Sequence, residues 1–343
     1  DFSVASKEVE YLTQTPSLPN ISRRGYSLVC WLNEDAEYTL PSTIDFYQDK
    51  TLTASWNALT FKLTVSAGIA NEILGDKGSF NAADIDSSIW QVQTDSNGNI
   101  VAIVANVNYD QNVQFVIKPF ANGYTFVNYV YENNGEKTYY EYSENSGISF
   151  IFQQISDVTL TAKYSENIYK INVRTKNLQL KSWEVKDVNG NSLTTIDGKT
   201  IVVYDAIEDM FTFEVKTSYS LNAQFVGKDG YTFKQFTFNS DTTDVSELQT
   251  DKQTIDDEII GVLAFARTKQ NLDITVEYDQ VEYTITVNIV SNNADKDSVA
   301  KVTHNEFSSS NGTLTVVAKT EDVVNFVVTA FEGYYVYIWQ IED

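Results

Sequence analysis

Gly123-Tyr124-Thr125-Phe126-Val127-Asn128-Tyr129 decides how this 343-residue chain is read, because its pattern, glycine-tyrosine-x-apolar-x-x-aromatic, recurs along the sequence. The other copies are Gly25-Tyr26-Ser-Leu28-Val-Cys-Trp31, Gly230-Tyr231-Thr-Phe233-Lys-Gln-Phe236 and Gly333-Tyr334-Tyr-Val336-Tyr-Ile-Trp339. Their glycines stand 98, 107 and 103 residues apart. Self-similarity at a steady period marks a repeat architecture, in which each unit is one small module.

Working outward, a second pattern falls between the glycine motifs. Leu52-x-Ala54-x-Trp56, Leu160-x-Ala162-x-Tyr164 and Ile274-x-Val276-x-Tyr278 each alternate apolar and polar residues and read as a closing strand with one apolar face. An opening strand begins five residues after each closing aromatic: Phe61-x-Leu63-x-Val65, Tyr169-x-Ile171-x-Val173 and Tyr283-x-Ile285-x-Val287. The connections between them, 57–60, 165–168 and 279–282, hold neither proline nor a glycine-serine run. Linkers this short and plain leave neighbours little freedom, so the reading predicts a stiff or semi-stiff rod.

Within the repeats, Asp95-Ser-Asn97-Gly98-Asn99 and Asp187-Val-Asn189-Gly190-Asn191 follow Trp90-x-Val92 and Trp183-x-Val185, and Asn311-Gly312 precedes Leu314-Thr-Val316. Asn-Gly between apolar runs predicts two-residue hairpins with positive φ at both central positions. Val113-x-Phe115-x-Ile117, Phe211-x-Phe213-x-Val215 and Val324-x-Phe326-x-Val328 read as the strand preceding each motif glycine. Each repeat then needs about six short strands. Only Ser246 to Ile259 suggests a helix. The fold class is mainly β: tandem small antiparallel β-domains of about a hundred residues in a rod-like array. Residues 1–56 form a partial repeat (the closing half), 57–165 and 166–279 two complete repeats, and 280–343 a partial, opening half.

The composition agrees. Formal charge is −23, from 24 basic and 47 acidic side chains, and is spread as −4, −6, −7 and −6 over the four segments. A distributed negative field repels nucleic-acid phosphates and anionic lipid, so a nucleic-acid partner is excluded. No apolar run approaches the length of a membrane span, so no membrane insertion is expected in this segment. The N-terminal Asp1-Phe-Ser-Val carries no basic or apolar leader, which reads as a mature or excised piece. The single cysteine, Cys30, reads as a small strand hydrophobe.

Taken together, these motifs resemble the Listeria-Bacteroides repeats and the related divergent internalin-B-type B-repeats of bacterial cell-surface proteins. Such repeats share an opening strand, a G-Y-x-F-x-x-W turn and strand, and a closing T-L-x-A-x-W/F strand. Residues 16–56, from Pro16 and Pro19 through Arg23-Arg24-Gly25-Tyr26 to Thr51-Leu52-Thr-Ala54-Ser-Trp56, resemble the compact version, and 57–165 and 166–279 the longer one. The resemblance implies an extracellular, cell-surface or secreted location and a repeat-array role without chemistry. Some internalin-type repeats are β-grasp, which would make the units α+β.

Candidate chemistry is sparse. His304, the only histidine, lies in what reads as a polar loop near Ser308, Ser309 and Ser310, where no rigid scaffold would orient a triad. A glycosidase needs two carboxylates across the cleft of one large domain, which a hundred-residue repeat does not offer. The chain is therefore read as no enzyme. Asp95, Asn97 and Asn99, with Asp187, Asn189 and Asn191, place oxygens at every second position as calcium ligands would. They lack the glycine and glutamate of an EF-hand loop and read first as hairpin turns, so no cofactor is expected. Lys62 and Lys170 recur in the opening strands, as isopeptide-forming lysines would, but alternate with the apolar face and read as solvent-exposed. Tyr139, Tyr140 and Tyr142 could stack on sugars. The leading functional reading is a structural or spacer region of an adhesin-like protein, partnered by neighbouring repeats. The alternatives are a module binding a glycan or host protein, and accessory domains of a larger extracellular enzyme or assembly.

Overall fold

The strands read as opening strands bury alternate side chains: Leu63 and Val65 in Thr60–Ser66, Ile171 and Val173 in Ile168–Arg174 are fully buried. That alternation, with β-branched residues on a pleated surface, fixes a strand whose one face is core. The computed structural model describes residues 6–292 and 295–341, so the N-terminal Asp1-Phe-Ser-Val lies outside the described residues. The chain divides into two units, 1–166 and 167–343.

In the first unit a six-stranded sheet runs in the order Glu136–Glu141, Tyr124–Asn133, Val158–Glu166, Thr60–Ser66, Ile100–Asn108, Gln91–Thr94. A second, two-stranded sheet of Asn112–Phe115 and Ile148–Ile151 covers it. Leu63, Ile103, Tyr129 and Leu160 from the large sheet meet Val113, Phe115 and Ile148 from the small one in a single core. Ahead of them, Tyr26–Asn33 pairs with Thr53–Ala58 and Ala36–Glu37.

In the second unit two five-stranded sheets share a core. One is ordered Val202–Asp205, Met210–Lys216, Ile168–Arg174, Leu272–Gln280, Tyr231–Phe238. The other is Ser192–Leu193, Leu178–Lys186, Ser220–Gly227, Glu258–Phe265, Gln249–Ile255. Ile171, Phe213 and Ile274 of the first pack with Leu178, Phe225 and Leu263 of the second. Beyond this sandwich, Glu282–Asn288 pairs with Thr313–Lys319, and Ala300–His304 with Phe307–Ser308 and Val327–Ala330.

The fold is thus mainly β. Among the described residues the helical segments are two 3₁₀ turns, Ala82–Asp84 and Lys296–Ser298, so the α-helix of a β-grasp is missing there. The helix suggested at Ser246 to Ile259 is instead a hairpin of Gln249–Ile255 and Glu258–Phe265. Asp256 and Asp257 both take left-handed backbone, φ 51° and 68°, making the two-residue turn. The β-branched Thr254, Ile255, Ile259 and Ile260 flank that turn and favour strands over a helix.

Antiparallel pairing holds throughout the three large sheets except at one place in the six-stranded sheet and one in the five-stranded sheet that holds Ile168–Arg174. The closing strand lies parallel to the opening strand of its own repeat, Leu160 opposite Val65 and Val173 opposite Ile274. Parallel partners need a long crossover between them, and here a whole repeat intervenes. Each parallel pair is fastened in the same way. The Lys62 backbone N–H donates to Asp157 Oδ1 and that of Lys170 to Asn271 Oδ1, both at 2.8 Å. Because first and last strands run the same way, the chain enters a repeat at one end and leaves at the other. An antiparallel closure would have returned it to its starting end.

Two further expectations are corrected. Phe211 to Val215 is not the strand before the motif glycine: Met210–Lys216 pairs with the opening strand, and Ser220–Gly227, carrying Leu221, Ala223 and Phe225, is the counterpart of Asn112–Phe115. Its apolar alternation is the same, so only position relative to the glycine could separate the two. Short strands such as Ile69–Asn71 and Asp76–Lys77 also raise the number per repeat above six.

Candidate functional site

The recurring motif is the feature that the sequence singles out, and its odd spacing has a structural cause. In a regular strand, residues three apart point to opposite faces. Yet Phe126 and Tyr129 have ring centroids 4.9 Å apart, as do Phe233 and Phe236. Pairing with the closing strand slips by one residue between Phe126 and Asn128, between Leu28 and Cys30, and between Phe233 and Gln235. The inserted residues, Val127, Val29 and Lys234, are exposed. A bulge of one residue brings both apolar members of the motif to the same face.

The motif tyrosines and aromatics do different work. Tyr129 is fully buried, packs edge-on to Phe115, and donates its hydroxyl to the Ile117 carbonyl at 2.9 Å. Burial pushes its phenol well above the usual tyrosine range. Tyr164, the closing aromatic, donates to Ala67 O at 2.6 Å and is likewise pushed up by burial. Tyr124 donates to Asp76 Oδ2 at 2.7 Å. Trp31 and Phe236 are half-buried, and Phe236 lies edge-on to Phe225. Cys30, between Val29 and Trp31, is a half-buried free thiol.

In all four copies the tyrosine N–H closes a turn onto the residue three before it, Arg23, Ala121, Lys228 or Phe331, at 2.9–3.1 Å. A strand follows in three. The fourth copy, Gly333 to Trp339, keeps the turn but forms no strand, with Trp339 55% exposed. Its counterparts all pair with a closing strand.

The two Asp-x-Asn-x-Asn segments are turns with their oxygens occupied. Asp95 Oδ1 accepts the Asn97 and Asn99 N–H groups at 2.9 and 3.0 Å, and Oδ2 the Asn99 side-chain amide at 3.2 Å. Asp187 repeats this with Asn189 and Asn191 at 2.9, 2.9 and 3.0 Å. Hydrogen bonds from the Asn99 and Asn191 side chains, with backbone donors behind them, hold both carboxyls below their ordinary range. The loops are not the expected two-residue type. Gly98 and Gly190 take φ of 82° and 83°, while Asn97 and Asn189 do not enter the left-handed region. Gly98 N–H bonds Asp95 O, and Asp95 N–H bonds Asn99 O, a three-residue loop with a glycine bulge. Asn311 and Gly312 do make the two-residue turn, with φ of 50° and 74°.

Alternation divides the tyrosine cluster. Tyr139 is 56% exposed, whereas Tyr140 packs on Phe150 with centroids 4.9 Å apart and Tyr142 lies edge-on to Phe126 while donating to Val116 O. The cluster therefore presents one ring outward, not a platform of three. His304 ends the strand Ala300–His304 and does not sit in a loop; its Nδ1 is 2.8 Å from Asn325 O. At Lys62 and Lys170 the backbone amide, not the ε-amine, meets the acid or amide, and the Lys170 ammonium lies 3.7 Å from Glu214.

An open cleft of about 620 Å³ in the first unit is lined by Phe80, Asn81, Asp84, Asn99, Lys118 and Phe120. Another of about 430 Å³ in the second mixes Arg174, Lys176, Glu208, Asp209 and Glu277. Among the described residues no three His, Cys, Asp or Glu side chains gather as a metal site, and no helix is long and apolar enough to cross a membrane. Asp157 and Asn271, which fasten the parallel pairs, went unmarked in the sequence; their signal was a polar residue immediately before each closing strand.

No protein-family model matches this chain, and no curated protein sequence does. Among solved structures it is similar to the Bacillus anthracis TIE protein, with 10% identity and a TM-score of 0.33 over 83% of this chain. It covers 52% of that protein, so the chain spans about half its length. It is also similar to the minor pilin GBS52 of Streptococcus agalactiae, with 10% identity and a TM-score of 0.19 over 64% of this chain and 96% of the pilin.

Proposed function

We propose that the chain is a non-catalytic spacer region of a bacterial cell-surface or secreted, adhesin-like protein. Its repeats would be of the Listeria-Bacteroides and internalin-B-type B-repeat kind, with units at 1–56, 57–165, 166–279 and 280–343. The observation that carries the reading is the parallel pairing of first and last strands in each complete repeat. A module entered at one end and left at the other adds length to a chain with every copy. The short connections, the distributed acidity and the cores of apolar and aromatic side chains fit the same role. Asp95 and Asp187 are engaged in their own turns, Asp157 at the start of a closing strand and His304 at a strand end, which supports reading the chain as no enzyme.

Glycan-array and pull-down screening of the full chain tests this. The spacer reading expects no saturable binding. Strong binding to a glycan or host protein that Tyr139→Ala removes would replace it with the binding-module reading.

A further inference from the structure

Two joints between consecutive repeats, one in each unit, are built from the same atoms. In the first, Leu59, three residues past the closing Trp56, donates its N–H to Gly25 O at 2.9 Å and accepts the Tyr109 N–H at 2.9 Å. In the second, Val281, three past the closing Tyr278, donates to Gly230 O at 2.9 Å and accepts the Thr320 N–H at 3.1 Å. Tyr109 and Thr320 each sit in a turn of the following repeat, and each precedes an acid in left-handed backbone: Asp110 at φ 61°, Glu321 at φ 71°. The motif tyrosine reaches across to that acid. Tyr26 Oη donates to Asp110 Oδ2 at 2.8 Å, and Tyr231 donates to the Glu321 carboxylate.

At the glycine the two repeats leave no room for a side chain. A Cβ on Gly25 would fall 2.1–2.4 Å from the Tyr109 ring, and one on Gly230 would fall 2.6 Å from both Thr320 Cγ2 and Oγ1. Both glycines also hold positive φ, 77° and 82°. Thr320 Oγ1 and the Gln280 amide close the second joint onto Gly230 O and Thr320 O, at 2.6 and 2.7 Å. The Arg23 guanidinium caps the Tyr26 ring at 3.8 Å in the first.

We infer that the Gly25-Tyr26 and Gly230-Tyr231 copies of the motif are clasps between repeats. The glycine seats the Asn108–Gln111 or Lys319–Asp322 turn of the repeat that follows, and the tyrosine hydroxyl holds the acid at that turn. The partner such a surface fits is a β-turn with a carboxylate in left-handed backbone, presented by the next repeat of the same kind. This deepens the spacer reading and rests on it, since a clasp matters most in a region that must transmit position along its length.

Hydrogen exchange of the full chain tests the clasp locally. Gly230→Ala is expected to speed exchange at the Val281 and Thr320 amides by about tenfold or more while leaving Leu59 and Tyr109, in the untouched joint, unchanged. Gly198→Ala, at φ 80° with no atom within 4 Å of its Cβ, carries the same backbone strain without the contact and should leave all four amides alone. Tyr231→Phe, which removes only the hydrogen bond, should speed Val281 and Thr320 by a smaller factor, and Glu321→Leu, which removes the acceptor, should do the same. If Gly230→Ala instead raises exchange across the buried strands Ile168–Arg174 and Leu272–Gln280, or changes nothing at Val281 and Thr320, the motif is not a clasp. Ligand binding found in the screen above would defeat the spacer reading while leaving these local rates as predicted, so the two failures are distinguishable.

Discussion

Replacing Tyr129 probes the bulged motif and the core of the first unit together. Its ring is fully buried between Phe115 and Phe126, and its hydroxyl is the donor for the Ile117 carbonyl. Tyr129→Phe keeps the ring and leaves that buried acceptor unpaired, which costs about 1–2 kcal/mol. Tyr129→Ala also empties the ring's space and costs about 3–5 kcal/mol. For a unit of roughly this size each kcal/mol lowers the midpoint by about 2–4 °C, so the Phe variant should melt about 2–8 °C lower and the Ala variant lower still. Differential scanning calorimetry of the full chain is the assay, and the loss should fall on the transition of residues 1–166. A Phe variant melting with the parent would show that the hydroxyl is not engaged. An Ala variant no worse than Phe would show that the ring is not core.

Other expectations follow from the same geometry. Alkaline titration followed at 295 nm should find Tyr129 and Tyr164 ionising only as the unit unfolds. Burial raises their folded pKa above the unfolded value of about 10, so their contribution to stability is complete below that pH and is lost as the pH climbs past it. Asp95 and Asp187 behave oppositely: their lowered folded pKa means that the stability they add is present above about pH 4 and lost on acidification through the lowered value, which Asp95→Asn would show as a flatter acid limb. Because both oxygens of each carboxylate are taken by the turn, calcium added to the full chain should leave its melting temperature unchanged. Asp256-Asp257→Asn-Gly should stabilise the Gln249–Ile255 hairpin by about 0.5–1 kcal/mol, since both positions are left-handed, and chemical denaturation would measure it.

Much of this fold is legible in the sequence where local pattern and burial agree. The alternation at Leu63 and Val65, Leu160 and Ala162, Ile171 and Val173 is set by one face being core, so opening and closing strands could be placed by reading every second residue. What alternation does not encode is pairing. That the opening strand lies parallel to the closing one depends on contacts a whole repeat apart, and no local signal at either strand reports them. The bulges at Val127, Val29 and Lys234 were visible only as an unexplained three-residue spacing between apolar positions. Phe211 to Val215 was misplaced because two neighbouring strands share one pattern. Asp256-Asp257 escaped notice as a turn because carboxylates take left-handed backbone less readily than Asn-Gly. The metal candidates at Asp95 and Asp187 show that ligand-like spacing also suits a carboxylate capping its own turn. The acids of the clasp, Asp110 and Glu321, stand in no recognisable motif, and only the folded chain brings them to Tyr26 and Tyr231.

Small-angle scattering of the full chain tests the spacer account most directly. A closing strand of nine residues spans about 30 Å, so the proposed spacer, were its four repeats to follow one another in line, would reach about 100 Å, with a radius of gyration of about 30 Å. A single globule of 343 residues would give about 20 Å. A value near 30 Å, with the elongated distance distribution of a rod, is the predicted result; a value near 20 Å would contradict it.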